Sequence, residues 1–313
     1  MPILNHFCYT WADNKGEYKH LLGLFALMLQ QPYTKSGVAI CVGRDEETGK
    51  SMPFVDVLGK IMGSHLFAHL QNMSNVTGEF TSTMTDKLLV LVDECLFAGN
   101  NKDVNIIKNF ITGDTDHISE IYHNPIYKES FKNFAFNSNN YWFVAAGSNA
   151  RRYFVLQSRL DDLFGYFKKS GFFQQNMAIS YFNWLSQTLS AEENKGLKTF
   201  ANFLYNLPID HFEQRNILIT RLLITQKQQT LDPFKKYWLD ILCMKSQLTV
   251  YDPTTNSDVP TKWLSEVDLT KMFSQYHHKV GKAKYAAKTP LEYWTLLQTE
   301  VPSSIRLVHC TNI

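Results

Sequence analysis

The sequence predicts an α/β fold: a parallel sheet covered by helices on both faces, then a helical region and a small basic C-terminal domain. Three observations predict it. Short continuous apolar runs rich in β-branched residues, Val38–Val42 (VAICV) and Leu88–Val92 (LLVLV), read as strands buried on both faces. Helical periodicity lies between them, as in Phe54, Val55, Leu58, Ile61 and Met62. Strand signals stop after about residue 160, where aromatic-rich helical sequence takes over.

In chain order, His20–Gln30 (HLLGLFALMLQ) predicts a helix, ended by Gln31-Pro32-Tyr33 and Lys35-Ser36-Gly37. The strand Val38–Val42 follows, then the helical stretch after Ser51 and the strand Leu88–Val92. Phe131–Asn137 (FKNFAFN) and Tyr153–Leu156 (YFVL) supply a third and a fourth strand. Strands alternating with helices make the sheet parallel. Residues 1–160 thus form the core with its leading helix, 161–251 a helical region, and 259–313 a small basic domain. The polar stretch Asp252–Asp258 (DPTTNSD) reads as a linker.

Composition narrows the class. With 44% apolar, 14% aromatic and 19% charged residues over 313 positions, the chain has enough apolar sequence for a core, which excludes disordered and collagen-like classes. No stretch approaches the roughly 18 apolar residues of a membrane span, and Met1–Asn14 lacks a leader pattern, so a soluble intracellular protein is expected. Cys8, Cys41, Cys95, Cys243 and Cys310 form no CxxC pair, which argues against a zinc site or a disulfide framework. A formal net charge of +2 announces no nucleic-acid partner, so such contact requires local patches.

Gly43–Ser51, GRDEETGKS, stands directly after the first strand and before a helix. A phosphate-binding loop needs that context: backbone N–H groups cradle phosphate, a lysine reaches the β and γ phosphates, and a hydroxyl ligates Mg²⁺. Gly43, Gly49, Lys50 and Ser51 fill those places. Arg44 stands where the strict pattern has glycine, and Asp45, Glu46 and Glu47 repel phosphate unless they point outward. A surface turn ending in GKS is the plainer alternative.

Leu88–Glu94, LLVLVDE, ends an apolar strand in Asp-Glu. Asp93 at the strand's C-terminal edge suits a Mg²⁺ ligand, and Glu94 suits polarisation of an attacking water. A core strand running into an acidic loop reads the same way. The two motifs together carry more than either, because they stand in the order and separation of an ATPase core and open sheets bind ligands beyond their strands' carboxyl ends. Phe136–Asn139 (FNSN) ends the next strand, where Asn139 can orient water. Arg151 and Arg152 follow, and either can meet a γ-phosphate in its own subunit or a neighbour's. Adjacent arginines are also ordinary surface residues.

These pieces in series resemble the superfamily 3 helicases, a branch of the AAA+ ATPases, and within it the C-terminal half of the poxvirus/phage primase-helicase family. The phrases carrying the resemblance are KSGVAICVGRDEETGKS, TDKLLVLVDE, NFITGDT, FAFNSN and RRYFVL, with YNLPIDHFEQRNILITRLLITQKQQTLDPFKKYWLDIL downstream. It extends over roughly residues 15–300. The resemblance implies ATP and Mg²⁺ at Gly49, Lys50, Ser51 and Asp93. It implies Glu94 as catalytic residue, Asn139 as sensor, and Arg151 or Arg152 as arginine finger. A homo-oligomeric ring, usually a hexamer, is also implied, with the ATP site between subunits. A hairpin touching DNA falls on Ile118–Lys132, with Lys128, Lys132 and His123 as its basic residues. The primase found upstream in long family members is expected as a separate domain or partner, and the setting as viral or mobile-element DNA replication in the host cytoplasm or nucleus.

Other features are weaker. His65 and His69 have i,i+4 spacing, but with no HExxH glutamate and no third ligand they read as ordinary helix residues. His277 and His278 lie among Lys271, Lys279, Lys282, Lys284 and Lys288, with Trp263, Tyr276, Tyr285 and Trp294 nearby. That tail resembles a winged-helix module suited to DNA contact, or is a solvated lysine face over an aromatic core. Asn72 and Asn75 begin glycosylation sequons of no expected use. The leading function is an ATP-dependent DNA helicase or translocase. The alternatives are a nucleotide-dependent initiator or helicase loader that does not unwind, and an assembly protein that kept only the fold.

Overall fold

A computed structural model describes residues 2–43, 46–77, 82–94, 101–118, 126–147, 150–161, 163–165 and 177–231, with 235, 236, 239, 249–252, 254 and 256–260. Contacts divide the chain into two units, Met1–Thr230 and Leu231–Ile313.

The first unit opens with α1 (Pro2–His6), which widens into a π-helical segment, Phe7–Trp11. Helix α2 (Lys15–Gln30) starts at Asn14, whose side chain accepts from Glu17 N at 3.0 Å, while Glu17 reaches back to Asp13 N at 2.8 Å. This reciprocal cap satisfies N–H groups that have no partner inside the helix. Gln31 ends the helix and Pro32 cannot continue it.

Five strands form one parallel sheet: β1 (Ala39–Gly43), β2 (Phe67–Leu70), β3 (Leu89–Val92), β6 (Asn133–Ser138) and β7 (Tyr153–Gln157), in the order β2-β3-β6-β1-β7. The expected parallel α/β sheet is therefore present. Side-chain alternation sends Ile40, Val42, Leu89, Leu91, Phe154 and Leu156 to one face, packed against α1, α2 and α6 (Met177–Tyr205). Ala39, Cys41, Val90, Val92, Phe134, Phe136 and Val155 line the other, against α5 (Asn101–Thr112) and α7 (Arg221–Thr230). A short helix, α4 (Ser74–Thr77), adds Val76 to that second face. Strands β1, β3 and β6 are buried throughout. Each such Val, Leu, Ile or Phe contributes about 1.5–3 kcal/mol relative to exposure, which is why the runs carry no alternation in the sequence.

Between β1 and β2 the chain forms a π-helical segment, Pro53–Gly59, continued by α3 (Lys60–Met62). Between α5 and β6 lies an antiparallel pair, β4 (Thr115–Ile118) and β5 (Ile126–Glu129); β5 falls inside the region expected to form a hairpin, whereas β4 begins three residues before it and shares only Ile118 with it. Helix α6 is two helical legs broken at Ala191–Asn194, with Glu192, Glu193 and Asn194 left-handed.

Three expectations are corrected. His65 and His69 share no helix face: His65 lies in a turn and His69 on β2, where pairing with β3 overrides the helical spacing. Strands do not end near residue 160, because the second unit contains an antiparallel pair, β8 (Thr249–Asp252) and β9 (Ser257–Pro260). Both ends of the expected linker accordingly belong to that hairpin: Asp252 pairs with Ser257 and Asp258 with Tyr251, with Asn256 between them in sequence at φ 52°. The winged-helix-like tail, including His277 and His278, lies outside the described residues from position 261 onward. No described helix is long and apolar enough to cross a membrane.

Candidate nucleotide and cation site

Parallel pairing brings the carboxyl ends of β1, β3 and β6 to one edge of the sheet. Asp93 follows Val92, which pairs with Phe136, and Asn137 follows Phe136. Asn137 in turn stands opposite Val42 of β1. The chain then turns through Glu46–Lys50 into the helix that begins at Pro53, and this turn delivers Ser51 to the same edge.

There Ser51 Oγ donates to the Asp93 carboxylate, 2.9 Å from Oδ1 and 3.0 Å from Oδ2. Asn137 Nδ2 donates to Asp93 Oδ1 at 2.8 Å and lies 3.2 Å from Ser51 Oγ. His69 Nε2 donates to Asp93 Oδ2 at 2.5 Å, and Asp93 N donates to Leu70 O at 2.8 Å. Side chains from three segments therefore meet on one carboxylate. Asn137 is buried and its Oδ1 has no hydrogen-bond partner among the described residues. A buried acceptor left open is costly unless a further group satisfies it, which suits a site meant to be filled. Hydroxyl, carboxylate and amide oxygens are also the donors that hard cations prefer.

The residues expected to form a phosphate loop divide by geometry. Gly43 is the last residue of β1, and Gly49 has φ 66° with Phe182 so near that an added Cβ would come within 2.4 Å of the ring. Only glycine meets both demands without strain. Lys50 is buried and Ser51 half-buried, whereas Glu46 and Glu47 are exposed, so the acidic side chains of the described part point outward. Arg44 and Asp45 lie outside the described residues. Ser158 ties the loop to the end of β7, its N donating to Gly43 O at 3.1 Å and its Oγ to Thr48 O at 3.4 Å. Glu94 is exposed and left-handed, at φ 49°. For a non-glycine residue that conformation costs about 1–3 kcal/mol and is concentrated at functional sites.

Other candidates lie away from the cluster. Asn139 is exposed just beyond β6, and the asparagine on Asp93 is Asn137, two residues earlier. Arg151 and Arg152 are exposed ahead of β7, at the opposite edge of the sheet; Arg152 O accepts from Ala39 N at 2.8 Å. The span of β7 is roughly 13 Å at about 3.3 Å per residue, which separates them from the cluster in their own chain. Lys128 is exposed and paired with Asp86. Lys132 is 4% exposed and paired with Asp116 at 2.5 Å, which makes it a strut beneath the hairpin in this conformation. His123 lies outside the described residues.

Sequence reasoning missed Asn137 and His69. The register of β6 against β3 identifies Asn137, but FNSN offers two asparagines without that register. His69 stands out in the sequence only as half of an i,i+4 histidine pair that imitates a helix face, because the four-residue strand FAHL is too short to announce itself.

Residues 41–152 match the model of a family of unknown function, DUF5906. That span runs from β1 to the arginine pair and takes in every residue of the cluster. The fold is also similar to three apo structures of the C-terminal region of NrS-1, each at 21% identity. One has a TM-score of 0.59, covering 76% of this chain and 52% of that one. The other two have TM-scores of 0.56 and 0.57, covering 75% and 74% of this chain and 51% of theirs. The chain thus spans about half the length of those structures. No curated protein matches it.

Proposed function

We propose that the chain is the ATP-hydrolysing motor of a DNA helicase or translocase of viral or mobile-element replication, of the superfamily 3, AAA+ type. The observation that carries the reading is the convergence of Ser51, Asp93 and Asn137 at the carboxyl ends of three parallel strands. Similarity of fold to the C-terminal region of NrS-1 supports the parallel α/β core on which the reading rests.

Bound Mg²⁺ would supply charge neutralisation at the phosphates, and Ser51 and Asp93 are the residues to hold it. Backbone N–H groups of the loop through Gly49 and the ammonium of Lys50 bind phosphate oxygens. Glu94 orients the attacking water, and Asn137 takes the sensor role expected of Asn139. Its amide is fixed on Asp93 at one end and open at the other. Arg151 and Arg152, at the far edge of the sheet, complete a neighbour's site, which requires a homo-oligomer, a hexameric ring by resemblance. The hairpin of β4 and β5, with Lys128 exposed, is the element to meet DNA.

Steady-state ATP hydrolysis with and without single-stranded DNA tests the motor, comparing wild type with Glu94→Gln. DNA-stimulated turnover that the substitution abolishes supports it; turnover no greater than that of Lys50→Ala overturns it. The departure of the loop from the strict glycine pattern, with Arg44 where a glycine is expected, favours a second reading, a nucleotide-dependent initiator or helicase loader. Tight ATP binding with negligible turnover would support that reading, and strand separation on a forked duplex would exclude it.

A further inference from the structure

We infer that His69 is a positioning residue that locks the Asp93 carboxylate in the orientation a divalent cation requires. The inference rests on the nucleotide and cation site proposed above and adds to it a residue outside the phosphate loop and the strand ending in Asp-Glu.

The argument begins with the carboxylate's freedom. The last side-chain torsion of aspartate is broad and roughly two-fold, so an unrestrained carboxylate exchanges its oxygens. Here the two oxygens have separate neighbours. Asn137 of β6 holds Oδ1 at 2.8 Å, and His69 of β2 holds Oδ2 at 2.5 Å, from the other side of β3. Ser51 Oγ sits between, 2.9 and 3.0 Å from the two oxygens. Removing His69 leaves one end of the carboxylate free to swing from Ser51.

Local backbone fixes His69 in turn. His69 pairs with Leu91 and Leu70 with Val92, and the Asp93 N to Leu70 O bond extends the ladder one residue beyond β3. Imidazole and carboxylate therefore sit on adjoining strands whose register cannot slip without unseating the buried Leu70. The side chains are 34% and 20% exposed, so the pair stands at the mouth of the site, where its role in packing is small. Hydrogen-bond partners of metal-ligating carboxylates typically change metal affinity 10–100-fold when removed.

The test uses Mn²⁺ as the probe. Mn²⁺ is titrated into the full chain with adenylyl imidodiphosphate, and free Mn²⁺ is read by electron paramagnetic resonance. Wild type is compared with His69→Ala, His69→Leu and His69→Gln. Ala and Leu are expected to weaken Mn²⁺ binding roughly 10–100-fold and to leave metal-free nucleotide affinity unchanged. Gln, whose amide N–H can reach Oδ2, is expected to stay within a few-fold of wild type. Leu fills the space without a donor, so it reports the same loss should the Ala chain misfold. Folded Ala or Leu variants that bind Mn²⁺ like wild type overturn the role of His69 alone. A wild type that takes up no Mn²⁺ with the nucleotide overturns the proposed site and this inference with it.

Discussion

Asn137 Nδ2 donates to Asp93 Oδ1 at 2.8 Å across the seam between β6 and β3. The bond joins the end of one central strand to the residue that leaves its neighbour, and it leaves Asn137 Oδ1 buried without a hydrogen-bond partner among the described residues. The polar arrangement is built on strands buried on both faces, so its geometry is as rigid as the core beneath it.

Asn137 and Asn139 should separate cleanly. Asn137→Ala removes a donor to Asp93 and is expected to lower ATP turnover by roughly 10²-fold, the usual cost of one positioned hydrogen-bond donor. Asn139→Ala, at an exposed position, should remain near wild type. Steady-state hydrolysis of the two variants checks this.

Glu94→Gln is expected to cut turnover by about 10²–10⁴-fold, the range for removing a general base, and to preserve nucleotide binding. Thermal melts with and without ATP check the binding half, because a ligand of the native state raises its stability.

Gly49→Ala meets two obstacles, a left-handed backbone worth about 1–2 kcal/mol against any L side chain and the Phe182 ring. Urea unfolding should show that loss or more. Adding Phe182→Ala should relieve the contact and leave the backbone cost in place.

Lys132 and Asp116 form a buried ion pair, their side chains 4% and 9% exposed. Lys132→Met strands a buried carboxylate and should destabilise by about 3–5 kcal/mol. Asp116→Leu together with Lys132→Met should recover much of that. A double-mutant cycle in urea measures the difference.

Stability should fall as pH is lowered from 7 toward 5. Burial holds His6 at about 3 and His20 at about 4, below their unfolded value of 6.5. With folded values depressed, their contribution is full above about 6.5 and is lost as pH falls toward 4 and then 3. In that window each adds up to about 1.4 kcal/mol per pH unit. Chemical unfolding at pH 7, 6 and 5 checks it, and His6→Phe should flatten the slope.

Much of the sheet was legible because burial on both faces writes itself as unbroken apolar runs. VAICV, LLVLV and YFVL announce β1, β3 and β7 to within a residue. Ser51 and Asp93 were legible because a loop after one such strand and an acid after another must lie at one edge of a parallel sheet. The strand FAHL was not: it is an edge strand with His69 on it, and an i,i+4 pair of histidines imitates a helix face. The hairpin of β8 and β9 was hidden by the polar turn between its strands, which reads as a linker.

The sequence by itself determined the parallel α/β core and the two motifs that lead to one edge of its sheet, since these follow from local burial and chain order. Only the tertiary structure decided that Asn137 meets Asp93, that His69 joins it from β2, and that Arg151 and Arg152 lie at the opposite edge of the sheet from that cluster. Those facts depend on which strands are neighbours and in what register, and pairing between distant segments leaves no local periodicity to read.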